Sequence, residues 1–149
     1  MKMNFDTGLS LEQLENDYWG EPTFDSGLVV SCHTLRKTPI GQLSAGDVRL
    51  LIGQKIGLNY LVPVAIKFLS ENPILRRTYF EGDLLLSVLG ISKEFWDNNM
   101  DLFYNFSEIM VNVESIYDTL KNKILPKWGE LELKLANNTV AADDKGKLF

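Results

Sequence analysis

One cysteine, Cys32, and one histidine, His33, stand in 149 residues. A lone cysteine excludes an internal disulfide and points to a reducing compartment. A structural zinc site takes four ligands, mostly Cys and His, and one of each cannot supply it. Nucleophilic catalysis of the Ser/His/Asp or Cys/His kind would have to run through His33. Cys32 is its neighbour in sequence, and successive residues on a helix point about 100° apart. The pair therefore reads as a small buried thiol beside a packed or surface ring. The sequence also lacks an Asp-x-Asp-x-Asp calcium loop, a Glu-x-x-His pair and both glycine-rich phosphate loops; Gly53, Lys55 and Gly57 do not form one. No catalytic residue, metal or cofactor is expected. Only paired carboxylates stay open, because 20 acidic residues allow many pairings.

Long apolar runs are missing too. The longest, Leu61 to Ile66 and Leu84 to Leu86 with Val88-Leu89, are far too short to span a bilayer. The segment Met1 to Asp6 lacks the apolar stretch of a signal peptide, and no lipidation motif is present. A cytoplasmic protein with no membrane contact is expected. Basic residues are outnumbered 15 to 20, for a net charge of −5. That disfavours a phosphate-binding surface, so no direct nucleic-acid binding is expected. An acidic surface can steer a basic partner, or serve only to keep the chain soluble. With 45% hydrophobic residues, a chain of this length can build a core without staples.

What is present has helical period. Ser10 and Gln13 form a capping box for a first helix, stopped by Tyr18-Trp19-Gly20-Glu21-Pro22. Asp25 or Ser26 caps a second, with Leu28, Val29, Cys32 and Leu35 on one face and Arg36-Lys37 at its C-terminal end. Ser44 and Asp47 repeat the capping box. Gly53 to Leu58 reads as a break or a tight contact between helices, and Pro63 fits the first turn of the next helix better than its middle. Gly82-Asp83 opens a short helix that Gly90 ends, and Ser92 caps another holding Phe95 and Trp96. From Leu102 to Ile124 an apolar stripe predicts one long helix, Met100 to Leu125, ended by Pro126 and packed on the preceding helices. Glu130 to Leu135 can add a short helix, and the sequence from Asn137 on reads as a frayed tail. No hairpin signal appears. The fold class is all-α: one compact domain over residues 1–136, several short helices plus one long C-terminal helix, then a flexible C-terminal tail over 137–149.

The densest unusual stretch runs from Leu14 to Ser26, where carboxylates and aromatics alternate around Gly20 and Pro22. Such a segment can be a rigid acidic loop with aromatic anchors. Equally, Tyr18, Trp19 and Phe24 can tuck into the core while the acids cap helices. This stretch resembles the immunity proteins of bacterial contact-dependent growth inhibition systems. The resemblance continues through Cys32 to Arg36, Asp47 to Gln54, Ile56 to Pro63, Glu71-Asn72-Pro73, Gly82 to Leu85 and Phe95-Trp96. Leu75-Arg76-Arg77-Thr78 departs from the acidic connection expected there, and nothing after Met100 carries the resemblance.

The resemblance implies a protein without enzymatic activity. It would bind and block the toxic C-terminal domain of a delivered effector, in the cytosol of the cell that makes both. Many such domains are nucleases, and an RNase is the first choice. A nuclease cleft is basic, which an acidic partner can occupy. The expected contact residues are Asp17, Tyr18, Trp19, Glu21 and Asp25, with Glu108, Glu114 and Asp118 as a second acidic surface. The free protein is expected to be a monomer. The alternatives are a helical adaptor or homo-oligomer assembled through the Leu102 to Ile124 stripe, and a small carboxylate or metal-dependent enzyme.

Overall fold

A computed structural model describes residues 2–76 and 79–146, with side chains to residue 139. Arg77 and Thr78, part of the connection expected to depart from the family pattern, lie outside the described residues, as do 147–149 of the expected tail. The chain forms two compact units, Met1–Met110 and Val111–Phe149.

The first unit is all-α. Its helices are α1 (Leu11–Glu15), α2 (Gly27–Arg36), α3 (Ala45–Gly53), α4 (Leu58–Glu71), α5 (Asp83–Leu89) and α6 (Lys93–Asp97), followed by the first half of α7 (Met100–Thr119). A single 3-10 turn, Ile40–Gln42, precedes α3. Among the described residues the only extended pairing is an isolated bridge from Ser10 to Pro39.

The helix starts fall where short polar side chains can satisfy free N–H groups. Ser10 and Gln13 cap each other at the head of α1, as Ser44 and Asp47 do for α3. Ser26 Oγ accepts from the Val29 N–H at 3.2 Å, and Ser92 Oγ from the Phe95 N–H at 3.4 Å. The break at Gly53 to Gly57 is made by two left-handed residues, Lys55 (φ 60°) and Gly57 (φ 63°). Gly57 is also a close contact: a Cβ there would lie 2.7 Å from Leu11 Cδ2.

Pro63 does not begin a helix. It is the sixth residue of α4, which starts at Leu58. Proline there removes the one bond its N–H would give to the Asn59 carbonyl. The apolar run Leu61 to Ile66 is buried on every side, and that burial outweighs one lost hydrogen bond. α3 packs against both α4 and α5, and α4 against α5. Val48, Leu51, Leu61, Val62, Leu69, Leu84 and Val88 are fully enclosed between them. Asp83 is buried at the start of α5, where its carboxylate accepts the Tyr79 N–H at 3.0 Å and lies 3.9 Å from Arg49 Nε.

The second unit differs from the expectation. The long helix does not stop at Pro126. α7 passes into a π-helical turn, Leu120–Ile124, and then into α8, Leu125–Gly146. The Leu125 N–H reaches back five residues to the Leu120 carbonyl. A turn widened in this way lets the chain take a residue without an N–H and remain helical. Helix therefore runs through Asn137, where the frayed tail was expected to begin. Within the first unit the stripe packs as expected. Phe106 and Ile109 are buried, whereas Tyr117, Leu120 and Ile124 are exposed.

Candidate functional site

The chain leaves α1 through Asn16, in left-handed geometry (φ 49°, ψ 45°), and turns again at Gly20 (φ 72°). Between these points it passes over the C-terminal end of α2, where Arg36 is 1% exposed. Arg36 Nη1 donates to the Glu15 carboxylate. Its Nη2 donates to the Asp17 carbonyl at 2.6 Å and more weakly to Asp17 Oδ2 at 3.4 Å. The Trp19 ring covers the guanidinium at 4.2 Å from its centroid. Trp19 Nε1 donates to Asp17 Oδ2 at 3.0 Å. His33, one turn earlier on α2, meets Trp19 edge-on at 5.2 Å, and its Nδ1 lies 3.1 Å from the Gly20 carbonyl oxygen. A planar cation with several fixed donors suits this task better than a lysine would.

The outcome is a loop held from beneath and open above. Tyr18 is 63% exposed, Phe24 74% and Leu28 46%. Asp17, Glu21 and Asp25 face solvent beside them. Lys37 stands 3.5 Å from Glu21, a pair open to water and therefore weak. The structure thus brings Asp17, Tyr18, Trp19, Glu21 and Asp25 onto one segment supported by α2, with Trp19 serving as both anchor and surface.

Sequence reasoning missed three participants. Arg36 read as a charge suited to a helix C-terminus. Phe24 could equally have been core. Leu28 falls on the same side of α2 as buried Cys32, yet helical period fixes a side and not where along the helix the cover stops.

The residues of the second acidic surface are divided between the two units. Glu108 is exposed on the part of α7 that belongs to the first unit. Glu114 and Asp118 belong to the second unit, one turn apart, and border a depression of about 390 Å³ with Ser115, Thr119, Asn122 and Lys123.

Cys32 is buried, and burial pushes its thiol above the usual range. Such a thiol is a poor nucleophile. His33 is engaged with Trp19 and Gly20. Among the described residues no group of three or more His, Cys, Asp or Glu side chains could hold a metal ion. A polar cleft of about 540 Å³ in the first unit is bordered by Asp97, Asp101 and several asparagines. Asp97 is bound there by Lys93 Nζ at 2.6 Å. Among the described residues no helix is long and apolar enough to cross a membrane.

No curated protein and no solved structure matches the chain. A family model described as CDI immunity proteins matches residues 13–106. That span begins inside α1, takes in the clamped loop and stops at Phe106, within the first unit. It covers well over half of the chain, so the protein belongs to the family of CDI immunity proteins.

Proposed function

We propose that this immunity protein neutralises its cognate toxin by binding the toxin's C-terminal domain through the loop and helix start of residues 17–28. The toxin domain is proposed to be a basic nuclease, an RNase first of all, met in the cytoplasm of the producing cell. The observation that supports this reading is the clamped loop. Its carboxylates and aromatics are exposed, but the backbone beneath them is already fixed by Arg36. A surface ordered before binding loses little entropy on association. Aromatic anchors with flanking acids are the mixture that gives tight complexes with a basic cleft.

The test is co-expression with the toxin domain encoded immediately upstream of this gene. The parent protein should restore growth and co-purify with that domain. The double variant Glu21→Lys, Asp25→Lys should fold as the parent does and bind at least about tenfold more weakly, roughly 1.4 kcal/mol. Failure to rescue or co-purify removes the immunity reading for that toxin. Parent-like binding by the double variant places the contact face elsewhere, with Glu108, Glu114 and Asp118 next in line.

A further inference from the structure

We propose that two copies of this chain pair through the second unit, along the stripe of Tyr117, Leu120, Ile124, Trp128, Leu131 and Leu135. Tyr117 and Leu120 up to the π turn, and Trp128, Leu131 and Leu135 after it, recur every three or four positions, the spacing that keeps side chains on one side of an α-helix. Each of the six is between 40% and 58% exposed. Such a stripe is at the upper end of the apolar patch that a soluble monomer ordinarily leaves open.

The helix is long enough to use it. From Val111 to Gly146 it is continuous through the π turn, about 54 Å at 1.5 Å per residue. Sequence spacing alone had stopped the stripe at Pro126, near three heptads, the lower limit for a paired helix. Continuation through Pro126 adds Trp128, Leu131 and Leu135 to it.

The distribution of charge selects a second copy as the occupant. Residues 1–110 carry nine basic and fourteen acidic side chains, which is the whole of the net −5. Residues 111–149 carry six of each. A neutral unit offers a basic toxin a weaker field than the acidic first unit does, whereas two neutral units can meet without net repulsion. The area fits as well. Six half-exposed large side chains offer on the order of 100 Å² each. Two stripes together then bury about 1,200 Å², the lower edge of specific interfaces. The pairing is therefore weak and dependent on concentration.

Sedimentation of the full chain tests this, from about 1 to about 200 µM, a range that brackets micromolar association. The mass should rise from 16.9 kDa towards twice that value. Leu120→Glu and Leu131→Glu should each shift the midpoint at least about tenfold upward. Leu133→Glu, about 200° around the helix from Leu131, should leave it within about twofold. Amide exchange on the parent needs no variant to fold: protection over 117–135 should increase with concentration. A chain that stays monomeric throughout overturns the proposal. So does a dimer indifferent to both stripe substitutions, or a monomer that instead pellets with zwitterionic vesicles.

Discussion

Arg36 shows how much one side chain can arrange that its sequence position does not announce. It ends α2, and a basic residue at a helix C-terminus needs no further explanation. In the fold the same residue is enclosed by Glu15, Asp17 and Trp19, contributed from about twenty residues away in sequence. Which acids and which ring would meet it depends on how the chain turns at Asn16 and Gly20. Replacing it, as in Arg36→Met, removes the donors of a buried group and leaves the Glu15 carboxylate without its partner. Because Glu15 and Asp17 retain solvent, the expected loss is about 2 kcal/mol, below that for a wholly buried pair. Urea unfolding should report that loss, and chymotrypsin should cut faster after Tyr18 and Trp19. Unchanged cleavage would mean that the loop holds its shape without the clamp.

Elements were more legible than residues. Ser10, Ser44 and Ser92 each cap the helix that the sequence assigns to them, and of Asp25 and Ser26 it is Ser26 that caps the second, because a cap acts across three residues and needs nothing from the rest of the chain. Both helix-internal prolines were misread for the complementary reason. Pro63 is retained by burial of the run around it, and Pro126 by a π turn, and neither burial nor turn width is written in local spacing. Pro126→Ala should let the Leu120–Ile124 turn relax towards ordinary α-helix. A gained bond to the Asn122 carbonyl should slow amide exchange over 121–128 by about tenfold, roughly 1.4 kcal/mol. Exchange as fast as in the parent would show that the wide turn does not depend on the proline.

At the scale of the molecule, charge and apolar surface are separated along the chain. The acidic excess lies in residues 1–110 and the neutral stripe in 111–149. Two associations at these two places should answer differently to salt. Toxin binding through Asp17, Glu21 and Asp25 is expected to weaken about tenfold between about 100 and about 500 mM salt. Self-association through Leu120 and Leu131 is expected to change by less than about twofold over the same range. Titration of both in parallel checks this, and equal salt dependence would contradict the separation. The sequence by itself determined the all-α class, the serine-capped helix starts, the lack of an internal disulfide, and a family resemblance from Leu14 to Trp96. Those follow from composition and from interactions within one helical turn. Tertiary structure decided the support beneath the acidic loop, the exposure of Phe24 and Leu28, and the burial of the stripe at Phe106 and Ile109. Depth, partner and exposure come from segments distant in sequence meeting in space, and a periodic pattern says which residues share a side without saying what, if anything, covers it.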